Sequence, residues 1–154
     1  MVRWLTISVV LLLAAGGCSH TPPSLKITGV SVGDRSEAGL VLNIGVEAEN
    51  RNEVELPLRE VRYTVKLEDG RGFSGVRSPE ATLRRLGTQR MSLPAVFALG
   101  PESPAPTGVV KCEVSGTLNY ISPGELAQTL LDTGVRRPSV SFKELTVVDF
   151  GAGR

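Results

Sequence analysis

Hydrophobic residues with a period of two, over residues 40–48, constrain the fold of this chain most strongly. Leu40, Leu42, Ile44, Val46 and Ala48 alternate there with residues that are mostly small or polar. Successive side chains of a β-strand point to opposite faces, so this pattern predicts a strand with one buried face.

A second alternating segment, residues 61–67, ends at a turn signal. Asp69 and Gly70 follow it, and a tight hairpin needs residues of this type because they tolerate positive φ. We therefore expect Asp69 and Gly70 to form a structural turn, with a returning strand over residues 72–76.

Four further segments are rich in β-forming residues. Pro94 marks one of them as an edge strand or a bulge, and the change of phase between Phe142 and Leu145 predicts a bulge in another. With about seven strands, residues 25–150 are predicted to form one all-β domain, an immunoglobulin-like or fibronectin-like β-sandwich. The segments are residues 25–32, 91–99, 110–120 and 139–148.

One short helix is expected near the C-terminal end. Ser122 and Glu125 have the spacing of a capping box, with Pro123 in the first turn and Gly134 as the stop. Such a helix would cover an open end of the sandwich; the alternative is a helix that binds a partner.

The N-terminal residues have the features of a targeting segment. Arg3 precedes a run over residues 4–15 that is mainly apolar and too short to span a bilayer, which indicates a signal peptide over residues 1–17. The sequence Ala15-Gly16-Gly17-Cys18 resembles the lipobox of bacterial lipoproteins. The resemblance implies that Cys18 is acylated and becomes the new N-terminus. The alternatives are an ordinary secretory signal, which would leave a free thiol at Cys18, and an uncleaved anchor.

Residues 18–24 would then join the lipid to the domain. They are mostly polar, and they include His20, the only histidine of the chain, which we expect to be a solvated linker residue. Ser19 stands where an Asp would resemble an inner-membrane retention signal. By analogy, the predicted location is the cell envelope, lipid-anchored to the outer membrane and facing the periplasm.

Charge and cysteine content exclude several classes of protein. Lys and Arg number 17 against 16 acidic residues, so loss of Arg3 with the signal peptide leaves no net charge and no electrostatic case for nucleic acid. Cys112 falls on the apolar side of an alternating segment, where a thiol is expected to be buried as a small hydrophobe.

The central segment resembles a known family. Residues 46–52 (Val-Glu-Ala-Glu-Asn-Arg-Asn), Leu56-Pro57-Leu58 and the Asp69-Gly70 turn resemble the late embryogenesis abundant type 2 family, also called the water-stress and hypersensitive-response (WHy) domain. Arg51 stands where that family has Pro. The resemblance implies a β-sandwich with one helix, no catalytic centre, and an association with desiccation or envelope stress. Asn50 and Asn52 would act as structural turn formers.

The residues give little support to an enzyme. Hydrolysis of the Ser-His kind needs a histidine in the folded domain, and a zinc site needs more His and Cys ligands than this chain has, so we expect no catalytic residue, no metal and no cofactor. Four glutamates near one strand end are the only candidates for a carboxylate site. They are Glu47, Glu49, Glu53 and Glu55.

Two functional hypotheses remain from this sequence. The first is a non-enzymatic, membrane-anchored domain that binds another envelope protein or protects the envelope under stress. The alternative is a periplasmic carrier of a small apolar ligand such as a lipid, because an aliphatic core with few aromatic residues could leave a cavity between the sheets.

Overall fold

Backbone pairing organises this chain into two antiparallel sheets. The computed structural model describes residues 20–123, 133–134 and 138–151. The strands are β1 (Ser24–Arg35), β2 (Gly39–Glu49), β3 (Leu56–Leu67), β4 (Gly72–Arg77), β5 (Thr82–Leu83), β6 (Thr88–Ala98), β7 (Val109–Tyr120) and β8 (Ser139–Asp149).

The two sheets form a β-sandwich. The smaller sheet has the order β1-β2-β6, and the larger has the order β4-β3-β7-β8, with the short β5 pairing the start of β3. The prediction of an all-β sandwich is confirmed, with eight strands in the described residues instead of about seven. The predicted helix falls mostly on residues 124–132, which lie outside the described residues.

The two alternating segments that the sequence singled out form a large part of the core. Their inward residues are at most 4% exposed on β2 and β3, and they pack against each other across the sandwich. Burial of this kind contributes about 25 cal/mol per Å² of apolar surface removed from water, so both strands stabilise the domain. The residues are Leu40, Leu42, Ile44, Val46, Ala48, Val61, Tyr63, Val65 and Leu67.

The bulge predicted in the last strand is absent. Strand β8 pairs with β7 without any register shift over its whole length. Phe142 and Val148 point into the core on the same face, whereas Leu145 and Val147 point outward and are 74% and 57% exposed. The change of apolar phase therefore reflects hydrophobic residues on the outer face, not an extra residue in the strand.

Pro94 lies on an edge strand, as its lack of an N–H donor predicts. It belongs to β6, which pairs with β2 on one side and is the last strand of the smaller sheet. The Tyr63 hydroxyl donates a hydrogen bond to the Pro94 carbonyl, which ties β3 of the larger sheet to β6 of the smaller one. Burial raises the pKa of the Tyr63 hydroxyl, so it stays a donor at neutral pH.

Cys112 is buried within β7, and burial also raises the pKa of its thiol. In a Cys18→Ser chain at pH 8, we expect an aromatic disulfide reagent to leave Cys112 unmodified until denaturant unfolds the domain, because access and thiolate formation are both suppressed. A Cys18→Ser chain that also carries Val147→Cys is the control and should react at once. Rapid labelling of Cys112 in the native protein would contradict the buried position.

Candidate functional site

One end of the sandwich is organised around a buried amide. The Asn50 end, as we name it, consists of residues 20–23, the β2–β3 loop (residues 50–55) and the β5–β6 loop (residues 84–87). Asn50 comes directly after β2 and is 1% exposed. Its Nδ2 donates to the carbonyls of Val54 (2.8 Å), Leu83 (3.3 Å) and Arg84 (3.1 Å).

The other atom of the same amide organises the β2–β3 loop. Asn50 Oδ1 accepts hydrogen bonds from the backbone N and the Nδ2 of Asn52, at 3.0 and 2.8 Å. The backbone N of Asn50 also donates to the Gly87 carbonyl at 2.8 Å. A polar side chain in the core is stable only when its hydrogen bonds are made, and Asn50 makes them with both loops.

Asn52 attaches the start of the described chain to this end. Its side-chain amide accepts from the Thr21 N and donates to the Thr21 carbonyl, each at 2.8 Å. His20 Nε2 lies 3.1 Å from the Ser122 hydroxyl, and the His20 ring contacts the edge of Tyr120 with centroids 5.9 Å apart. Pro23 is buried. The sequence predicts that His20 is a solvated linker residue, but it is half-buried against Tyr120 and Ser122. Thr21 and Pro22 are exposed, although the backbone of Thr21 is hydrogen-bonded to Asn52.

The β5–β6 loop presents an exposed leucine in an unfavourable conformation. Gly87 donates to the Arg84 carbonyl at 3.2 Å, which closes a turn with Arg85 and Leu86 at its centre. Leu86 has a φ of 49° and is 68% exposed. The left-handed region costs a bulky residue about 1–3 kcal/mol. The Leu86 N donates to the Asn52 carbonyl at 2.9 Å, so the Asn50 network holds this conformation.

The Ser122–His20 contact brings together a hydroxyl and an imidazole that are far apart in the sequence. Their distance is within the range of a nucleophile and its base. Ser122 is, however, only 8% exposed, and its hydroxyl is directed to the His20 ring. A nucleophilic serine has to be reached by the substrate carbonyl, and a hydroxyl that is this buried and already paired does not fit that role. We interpret the contact as structural.

The glutamates proposed as a carboxylate site are distributed over separate ion pairs and surface positions. Glu47 binds Arg90 at 2.9 Å, and Glu49 binds Arg51 at 3.0 Å and the Ser24 hydroxyl at 3.1 Å. The hydrogen bond from Arg51, followed by that from Ser24, lowers the pKa of Glu49. A general acid needs a raised pKa, so the shift of Glu49 has the wrong sign for glycoside hydrolysis.

The two remaining glutamates, Glu53 and Glu55, are exposed on the β2–β3 loop. Within residues 20–123, 133–134 and 138–151, no three acidic, His or Cys side chains come together as a metal site. The Asp69–Gly70 hairpin lies at the opposite end of β3. There Gly70 has a φ of 91°, Asp69 Oδ1 accepts from the Arg71 N at 3.0 Å, and hydrogen bonds from Arg71 lower the pKa of Asp69.

A depression lies on the outer face of the larger sheet. It has a volume of about 610 Å³ and is open to solvent. Its polar lining consists mainly of hydroxyl side chains, with Thr64 and Ser74 3.1 Å apart and Thr117 and Ser141 3.3 Å apart. This position does not favour a ligand carrier, which would hold an apolar molecule between the sheets.

Comparison with solved structures identifies the class of fold. The solution structure of a protein from Arabidopsis thaliana has a TM-score of 0.64 and 14% identity, covering 93% of this chain and 91% of its own. A protein named as late embryogenesis abundant (LEA) has a TM-score of 0.63 and 13% identity, covering 85% of this chain and 72% of its own. This chain has an LEA-like β-fold.

A third solved structure, of a protein from Archaeoglobus fulgidus, has a TM-score of 0.50 and 9% identity, covering 84% of this chain and 95% of its own. These identities show the fold alone. No family model matches this chain, and no curated protein matches it. The described residues include no helix that is long and apolar enough to cross a membrane.

We predict that Asn50 is the most sensitive polar residue of the domain. Asn50→Ala should lower the free energy of unfolding by about 2–3 kcal/mol, because it leaves buried donors and acceptors without partners. Asn50→Asp should cost more at pH 7, since a carboxylate would face three carbonyl oxygens. Protonation of the aspartate restores a hydrogen-bond donor. The difference in the free energy of unfolding between Asn50→Asp and the wild type should therefore become smaller as the pH falls.

Urea unfolding of each variant measures these changes. Asn119→Ala, at a half-buried position on β7, is the control and should change stability by no more than about 0.5 kcal/mol. An Asn50→Ala loss as small as that of the control would contradict the role given to this amide.

Proposed function

We propose that this protein is a non-enzymatic lipoprotein, acylated on Cys18, whose LEA-like domain binds another envelope protein or protects the envelope during desiccation stress. Its location in this proposal is the outer membrane, facing the periplasm. The sequence Ala15-Gly16-Gly17-Cys18 supports the anchor most directly. Only Ser19 separates Cys18 from His20, and His20 and Thr21 are hydrogen-bonded to the domain.

An exposed apolar surface supports a role in protein binding. Val109, Leu145 and Val147 are 67%, 74% and 57% exposed on the outer face of β7 and β8. Val147 pairs with Lys111, two residues from Val109, so Val109 and Val147 are diagonal neighbours on this face. Leu145 is the next outward residue of β8 after Val147. Ion pairs border them, including Lys143–Glu113 at 2.9 Å and Lys111–Glu68 at 3.3 Å. An apolar centre with a charged rim is typical of protein interfaces.

Membership of the LEA type 2 family is part of the same proposal. The fold is consistent with it, and Asn50 and Asn52 occupy the loop after β2 where the family has its Asn-Pro-Asn sequence. In this chain Asn50 ties the β2–β3 loop to the β5–β6 loop, which gives the first Asn of that sequence a structural role.

The anchor is tested by the intact mass and the membrane fractionation of the wild type beside Cys18→Ser. We expect the wild type to carry the mass of a multiply acylated Cys18 and to remain in the membrane fraction, because two or more acyl chains hold a protein stably. Cys18→Ser should be unprocessed or mislocalised. Cys112→Ala is the control cysteine variant and should fractionate as the wild type does. A soluble wild type with an unmodified mass would refute the anchor.

The apolar surface is tested by Leu145→Asp combined with Val147→Asp. Both side chains face solvent, so the melting temperature should stay close to that of the wild type. A photo-crosslinker at position 111, on β7 directly opposite Val147, should give a discrete adduct in native envelopes that this double variant loses. Thr64→Asp, on the same face away from the apolar surface, is the control. An adduct that survives the double variant would exclude this surface.

A further inference from the structure

We propose that the Asn50 end of the domain faces the bilayer, with Leu86 at the lipid headgroup level and the Arg84 and Arg85 guanidinium groups on lipid phosphates. This inference rests on the acylation of Cys18 and adds to it an orientation and a contact surface. The occupant is the lipid headgroup layer of the membrane that carries the anchor.

The first support is the length of chain between the lipid and the folded domain. Consecutive Cα atoms are about 3.8 Å apart, so the Cα of Cys18 lies within about 8 Å of the Cα of His20. His20 and Thr21 are held on the Asn50 end by the hydrogen bonds to Ser122 and Asn52. A chain attached in this way has too little length for the domain to turn its other end to the membrane.

The second support is Leu86 itself. Asn or Gly adopts positive φ at low cost, and a leucine that is 68% exposed gains little from the core, so local folding does not explain this residue. Asn52 accepts a hydrogen bond from the Leu86 N and also binds Thr21. The exposed leucine and Thr21 are therefore both held by Asn52, the leucine by the backbone carbonyl of Asn52 and Thr21 by its side-chain amide.

The third support is the pattern of charge. Arg84 and Arg85 are exposed beside Leu86, and neither forms an ion pair with any carboxylate in the described part of this chain. Guanidinium groups form paired hydrogen bonds with phosphate. Glu53 and Glu55, exposed on the neighbouring loop, offset this positive charge. The contact is therefore with individual headgroup phosphates and does not depend on a strongly anionic surface.

The test uses full-length acylated protein that carries Cys112→Ala and one added cysteine, labelled with an environment-sensitive fluorophore. Leu86→Cys places the label at the proposed contact. Val147→Cys is the matched control, an exposed apolar position on β8. It lies about 26 Å along the strand from Ser139, which pairs with Asn119 near the Asn50 end. The proteins are reconstituted in vesicles of phosphatidylethanolamine and phosphatidylglycerol with brominated acyl chains. We expect the label at position 86 to shift to the blue and lose most of its emission, and the label at position 147 to do neither.

The outcomes separate the orientation from the anchor. A protein of unmodified mass that does not float with the vesicles refutes the anchor and this inference with it. An acylated, floating protein with equal quenching at both positions, or with quenching at position 147 alone, refutes only the orientation. A label at position 86 that is unquenched in vesicles but shifts to the blue in native envelopes identifies a protein partner at this end, which also overturns the inference.

Leu86→Gly distinguishes a membrane contact from a structural role. Because glycine adopts the observed φ freely, the melting temperature of the Leu86→Gly protein should equal or exceed that of the wild type. In the acylated protein, a fluorophore at Arg85→Cys should be quenched less by brominated lipid when Leu86→Gly is also present. A clear fall in melting temperature would show that the leucine serves the fold and would count against the proposal.

Discussion

The hydrogen bonds of the Asn50 amide connect parts of the molecule that no strand pairing connects directly. Asn50 follows β2 of the smaller sheet, yet its Nδ2 binds the carbonyl of Leu83 in β5, which belongs to the larger sheet. Because the amide is buried, each of these bonds has to be satisfied within the protein. Asn50 holds the β2–β3 loop to the β5–β6 loop, and through Asn52 the same network reaches Thr21. The Asn50 side chain thus holds the loops of the Asn50 end together.

Much of the fold could be read from the sequence because its main determinants are local. The alternation over residues 40–48 gives both the strand and its buried face, and the Asp69–Gly70 turn gives the hairpin between β3 and β4. The last strand was harder to interpret. Leu145 and Val147 suggested a change of inward face, and only the pairing with β7 shows that they point to solvent.

The Asn50 end was not predictable in the same way, because its contacts are distant in sequence. Asn50 could be recognised as a turn former, but not as the partner of carbonyls 33 and 34 residues away. His20 reaches Ser122 across 102 residues, so no local pattern could show that it is half-buried. The positive φ of Leu86 could not be predicted either, because leucine is rare in that conformation and Gly or Asn is the residue expected there.

The strand order also has a consequence for the time course of folding. Strand β1 forms a hairpin with β2, but the other neighbour of β2 is β6, whose pairing joins Gly39 to Ala98. The chain must therefore pass through β3, β4 and β5 before the smaller sheet is complete. Non-local pairings of this kind slow folding, and an unpaired strand edge promotes aggregation. During synthesis, which runs from the N-terminus, the edge of β2 stays unpaired until β6 has been made, and in that interval it can pair with other chains.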